Sequence, residues 1–216
     1  KNLLQIFQYT FTEFLPNIRA AQSSKGYFDP YREGPFFQTV EAAVEALLQH
    51  YEDSRRALTE CRVLIVTPGQ NESWIDKTNE LAWVHRPPAE TLEAFGEDRF
   101  FVKQFSLEEN IEYLSSSLEL LWANNPETKI IFTLSPVPSY ATFYDTNVAI
   151  RSIENKAVLL LALKEVVKQN PERVHYFPSF EMTMLSHNVN LQLDNRHVRP
   201  NVVDGIMASF DQLFVT

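Results

Sequence analysis

Cysteine is nearly missing from this chain: Cys61 is the only one in 216 residues. An internal disulfide is therefore excluded, and a chain built without one suits a reducing compartment, so a cytoplasmic location is expected. Clustered basic charge is missing as well. The 19 Lys and Arg residues are scattered among 28 acidic ones, Arg55-Arg56 is the only adjacent basic pair, and the net charge is -9. No nucleic-acid partner is expected, because phosphate binding needs clustered Lys and Arg. Long apolar runs are also absent. The longest, Ala157 to Leu163, lies within a helical pattern and falls far short of the ~20 residues that span a bilayer. No signal-peptide pattern opens the chain. Residue 1 is Lys rather than Met, which predicts that further chain precedes it.

What is present is an ordinary globular composition, 44% hydrophobic and 22% charged, which argues against disorder. A chain of this length can bury one core, so a single domain over residues 1–216 is expected. Three apolar segments read as buried strands: 62–67, 129–134 and 173–177. Each is rich in β-branched or aromatic residues and closed by a breaker, namely Pro68-Gly69, Pro136 with Pro138, and Pro178. Their continuous rather than alternating character fits a parallel sheet covered on both faces.

Helical patterns lie between these strands. Val40, Val44, Leu47, Leu48 and Tyr51 share one face. So do Ile111, Leu114, Leu118 and Leu121, behind a capping box of Ser106 and Glu109. Ile153, Ala157, Leu160, Leu161 and Val167 predict a third helix. Val202, Val203, Ile206, Met207 and Phe210 predict a fourth, behind Pro200. Leu4, Phe7, Phe11 and Phe14 predict an opening helix that ends before Pro16; residues 17–37 read as a packed loop. Residues 76–105 read as mostly irregular, with a short strand over Glu80 to Val84. The alternation of helix and strand predicts a three-layer α/β/α sandwich with a mostly parallel sheet, of the flavodoxin-like kind.

In such sheets ligands collect at the carboxyl ends of the strands. Three polar clusters fall there: Thr67 to Trp74, Ser135 to Pro138, and Asp194 with His197. At a spacing of three residues in a turn, a carboxylate can reach an imidazole Nδ1–H and leave Nε2 free to accept a proton. With eight Asp and five His in the chain, chance supplies about 0.2 such pairs. The plainer alternative is a surface turn whose Asp caps the last helix. Gly69 permits a sharp turn and Asn71 can donate to an oxyanion, although Pro, Gly and Asn are also what any strand-to-loop turn contains. His175 reads as a core histidine. His187 with His197 and Asp194 fits no common zinc pattern, and neither a metal nor a cofactor is expected.

Taken together these blocks resemble the SGNH hydrolases. Gly69-Gln70-Asn71-Glu72 is similar to their Gly-x-Asn-Asp block, with Glu in the last place, and Asp194-Asn195-Arg196-His197 is similar to their terminal Asp-x-x-His. The chain resembles the GSCFA family more closely still. Val66 to Gly69 with Glu72 and Trp74, Asn125-Pro126, Thr133 to Pro138, Ala141-Thr142-Phe143, Lys156 to Leu159, Tyr176 to Glu181 and Asp194 to Val198 follow in that family's order. The resemblance covers roughly residues 60–213. It implies an SGNH-like fold and ester chemistry, hydrolysis or O-acyl transfer, on a small-molecule or carbohydrate ester, often an acetylated one. His197 would be the base, Asp194 its orienting partner, and Gly69 and Asn71 the oxyanion site, with Glu72, Trp74 and Ser135 lining it. The Gly-Ser-Cys-Phe-Ala segment that should carry the nucleophile does not occur in residues 1–216, and the opening helix is expected to follow it directly. The alternatives are a noncatalytic module of the same fold that binds a glycan or protein, and a structural domain of a larger protein.

Overall fold

The computed structural model describes residues 1–12, 22–31, 34–185 and 190–215. In chain order the elements are α1 (Asn2–Thr12), β1 (Gln22–Ser23), β2 (Gly26–Tyr27), α2 (Val40–Glu60), β3 (Val63–Val66), β4 (Glu72–Asp76), β5 (Leu81–Trp83), α3 (Ala89–Phe95), β6 (Phe100–Gln104), α4 (Leu107–Asn124), β7 (Lys129–Thr133), α5 (Val148–Gln169), β8 (Val174–Phe177), α6 (Ser179–Met184) and α7 (Pro200–Phe214). The chain is mixed α/β, with a parallel sheet flanked by helices. It folds as two compact units, one of Lys1–Arg62 with Glu72–Thr128 and one of Val63–Asn71 with Lys129–Thr216.

The first unit is built on an antiparallel sheet of order β5-β4-β6. Its apolar interior is aromatic: Tyr9, Tyr31, Tyr51, Trp83 and Phe100 are buried together with Ala43, Leu47 and Leu92, and Trp83 meets Phe100 edge-on at 5.1 Å. The β5 edge is closed by a side chain. Gln5, itself buried, accepts from the Ala82 N–H at 2.9 Å and donates to the Ala82 carbonyl at 3.0 Å. It thereby satisfies an edge that would otherwise offer unpaired backbone groups. The capping box forms as the sequence predicts, with Ser106 Oγ accepting from the Glu109 N–H and the Glu109 carboxylate accepting from the Ser106 N–H. Asn125 of the Asn-Pro motif donates to the Leu58 and Cys61 carbonyls at 2.9 and 2.8 Å, tying off the C-terminus of α2.

This unit also corrects the reading of residues 76–105. The short strand over 80–84 is there as β5, but α3 and β6 follow it where irregular chain was expected. The β4–β5 turn places Glu80 at φ 57, a left-handed position that usually calls for Gly or Asn. The left-handed position itself therefore carries no Gly or Asn to mark it.

The second unit holds the three strands that the sequence marks out. They form one parallel sheet of order β3-β7-β8, because strands linked through helices return in the same direction. Ile130, Ile131, Phe132, Val174 and Phe177 are buried, as are Leu159, Leu163 and Val166 of α5. Phe177 meets Phe210 of α7 edge-on at 5.1 Å. Two expectations fail here. Val63 and Ile65 are about half exposed, so β3 is not covered on both faces; it is an edge strand, paired only with β7. The buried stripe of α5 runs through Ser152, Asn155, Lys156, Leu159, Ala162, Leu163 and Val166, which leaves Ile153 and Leu161 exposed. Three polar residues on that stripe had hidden it from a hydrophobic pattern.

Candidate functional site

Parallel pairing in register brings the carboxyl ends of β3 and β7 to one edge of the sheet. The chain leaving β3 and the chain leaving β7 stay together there. The Ser135 N–H donates to the Pro68 carbonyl at 2.9 Å, and Ser139 Oγ donates to Gln70 Oε1 at 3.1 Å. Gly69 is packed so closely that a Cβ on it would lie 2.9 Å from Ser135 Cβ, closer than real side chains approach, so a side chain there forces something to shift. Asn71 is 2% exposed, at the end of this turn. Ser135 Oγ accepts from the Val137 N–H at 3.3 Å, the role of a turn residue.

Under the turn lies a residue to which the sequence analysis assigned no role at the site. Lys156 Nζ donates to the Gly69 carbonyl at 2.9 Å, and the side chain is 3% exposed. Burial pushes its ammonium down to about 8, because leaving water disfavours the charged form. The Gly69-Gln70 peptide is trans, so a carbonyl held toward Lys156 turns the Gln70 N–H the opposite way. The polar neighbours of Lys156 on the buried stripe, Ser152 and Asn155, left no apolar pattern to mark it.

Asp194 and His197 meet as the spacing predicts. The Asp194 carboxylate holds His197 Nδ1 through one oxygen. The other oxygen accepts from the backbone N–H groups of Arg196 and His197, both at 3.0 Å. The His197 hydrogen bond, then those two N–H groups, hold the Asp194 carboxyl down to about 2. It is therefore an acceptor only, so His197 Nδ1 is the donor of this hydrogen bond. Both side chains face solvent, His197 at 62% and Asp194 at 44%. Asn195 makes the turn possible at φ 55, a conformation Asn tolerates. A short ladder closes it, with the Gln192 N–H donating to the His197 carbonyl and the Arg199 N–H to the Asn190 carbonyl. The plainer alternative of a helix cap is not what forms: the residue capping α7 is Arg199, with no side-chain cap bond.

The Asp194–His197 turn is linked to the loop after β7 through Arg196, whose guanidinium lies 5.0 Å from the centre of the Tyr140 ring. Tyr140 follows Ser139, which holds Gln70. The loop 190–199, the loop after β7 and the Gly69 turn are thus joined in sequence within the second unit. Glu72 and Trp74 are residues of β4 and belong to the first unit. The Tyr176 to Glu181 motif joins strand ends: Tyr176 Oη donates to the Glu181 carboxylate at 2.9 Å, and Ser179 hydrogen-bonds Thr133 Oγ1 and the Leu134 carbonyl. His175 is half-buried in β8, 6.3 Å from the Phe214 ring centre. His187 lies outside the described residues, and among the described residues no three metal-ligating side chains come together.

Against known proteins, the model of the GSCFA family matches residues 2–210. The curated proteins include none that matches.

Proposed function

The chain belongs to the GSCFA family, and from that premise we propose that its second unit carries ester chemistry of the SGNH type, hydrolysis or O-acyl transfer, with His197 as general base. One observation carries the reading: the Asp194 carboxylate holds His197 Nδ1 while its own second oxygen is anchored by two backbone N–H groups. An imidazole so oriented presents Nε2 as a proton acceptor. It takes the proton of an attacking hydroxyl, the hydroxyl oxygen adds to the ester carbonyl, and the proton passes to the departing alkoxide as the tetrahedral intermediate collapses. Gly69 and Asn71 are assigned to the oxyanion. That assignment rests on the resemblance of Gly69-Gln70-Asn71-Glu72 to the Gly-x-Asn-Asp block; Asn71 itself is 2% exposed. Ser135 shapes the turn and lines its rim. The resemblance to the family implies a Ser nucleophile carried by a Gly-Ser-Cys-Phe-Ala segment, which residues 1–216 do not contain.

Hydrolysis of p-nitrophenyl acetate by the 216-residue chain and by a longer chain bearing that segment tests the reading. The longer chain is expected to be active and the shorter one nearly inactive, because a base without its nucleophile loses the covalent route. In the longer chain His197→Ala should cost orders of magnitude in turnover and Asn71→Ala about 10²–10³. Equal rates for both lengths that ignore His197 would refute the proposal and leave a noncatalytic binding module.

A further inference from the structure

Arg196 stands between Asp194 and His197 in the chain, and among the described residues it lacks the carboxylate partner that several other cations have. Arg99 is paired with Asp76, Lys103 with Glu109, and Arg151 with Glu154. Arg196 is half-buried, its Nε is fully buried without an acceptor, and among the described residues its guanidinium has neither a hydrogen-bond acceptor nor a carboxylate. Asp194 is the carboxylate nearest in sequence, and both of its oxygens are engaged by His197 and the turn backbone. In a chain with 28 acidic residues, an open guanidinium is an unfilled place for an anion.

Its partner is equally unusual. Tyr140 is 79% exposed, yet it stands on a fixed stem. The Ser139 N–H donates to Ser152 Oγ at 3.0 Å, and Ser139 Oγ reaches Gln70 beside the Gly69 turn. The ring thus meets Arg196 of the Asp194–His197 turn from a chain segment tied to the Gly69 turn. An exposed aromatic face takes the C–H face of a pyranose. A guanidinium held against a ring keeps its outer N–H groups in one plane, the arrangement that binds a carboxylate through two parallel bonds.

We propose that Arg196 and Tyr140 recognise a carboxylate-bearing sugar, so that the substrate of this site is an acylated uronic acid. The substrate class rests on the ester-processing reading, but recognition of the sugar itself does not require turnover. Calorimetric titration of the 216-residue chain with methyl glucuronoside and methyl glucoside tests it directly. The glucuronoside is expected to bind about ten-fold tighter or better, as one charge-assisted bidentate contact provides. R196Q should abolish that preference, R196K should restore only part of it, and Tyr140→Leu should weaken both sugars. Binding of an unacylated sugar involves no ester step, which separates this proposal from the catalytic one. A carboxyl NMR signal for Asp194 that stays in its depressed range in R196Q shows that the turn is intact. Equal binding of the two sugars, or a preference that survives R196Q, overturns the assignment. In the longer chain, R196Q should raise KM for an acetylated glucuronoside with little change in kcat.

Discussion

Asp76 of the first unit and Asp194 of the second are each gripped by a basic side chain and by donors of their own turn, but to opposite ends. Asp76 is 2% exposed. It accepts from the Thr78 N–H and hydroxyl at 2.9 and 2.7 Å and from both sides of the Arg99 fork, down to 2.6 Å. Burial pushes its carboxyl up, and the Arg99 and Thr78 hydrogen bonds outweigh that and hold it below the ordinary range. Every lone pair is used, and the partner never gives up its proton. Asp194 instead faces solvent and holds a side chain that can exchange one. The first arrangement locks a β-turn. The second keeps a ring nitrogen oriented and available. Burial and the identity of the partner, rather than the carboxylate, divide a locked ion pair from one whose partner can exchange a proton.

Breaking the buried pair should have the largest effect on stability. Arg99→Ala strands a carboxylate that is 2% exposed, and such a loss costs about 3–5 kcal/mol. Denaturant unfolding at pH 7 checks the size. The depressed Asp76 carboxyl contributes stability above its unfolded value and loses it as pH falls through its folded value. The gap between wild type and variant should therefore close toward low pH.

Lys156 extends the comparison to a buried cation without a carboxylate. Its ammonium is lowered to about 8 from 10.5, so the folded state holds fewer protons than the unfolded one between those values. Stability should rise with pH across that window, by on the order of 3 kcal/mol relative to Lys156→Met. Parallel unfolding series from pH 7 to 10.5 measure the difference, and parallel curves would show that the ammonium is not stressed by burial.

Smaller effects follow from exposed groups. Ser106→Ala removes the hydroxyl half of the capping box and should cost about 1 kcal/mol in thermal or chemical unfolding. Asp194→Asn should change stability least, within about 0.5 kcal/mol as for other surface positions, while abolishing the orientation of His197 and with it ester turnover in the longer chain. Wild-type Asp194 should titrate near 2 by carboxyl NMR, and His197→Ala should move it back toward the ordinary range. A stability loss for Asp194→Asn as large as that for Arg99→Ala would erase the distinction between the two aspartates.

The sequence by itself determined the elements whose information is local. The three parallel strands, the capping box at Ser106, the helix behind Pro200 and the Asp194/His197 contact all rest on short-range pattern or a three-residue turn, and each formed where the residues placed it. Tertiary structure decided the rest. The antiparallel sheet of the first unit has short strands and a turn through Glu80 that no glycine announces, so only pairing at a distance defines it. Membership of Glu72 and Trp74 in that sheet separates them from Asn71, their neighbour in the motif. The place of Lys156 under Gly69, and of Arg196 over Tyr140, depends on side chains that are 87 and 56 residues apart in the chain. A buried lysine and an unpaired arginine cost free energy that no local preference favours, and they become legible only when the fold shows what stands beside them.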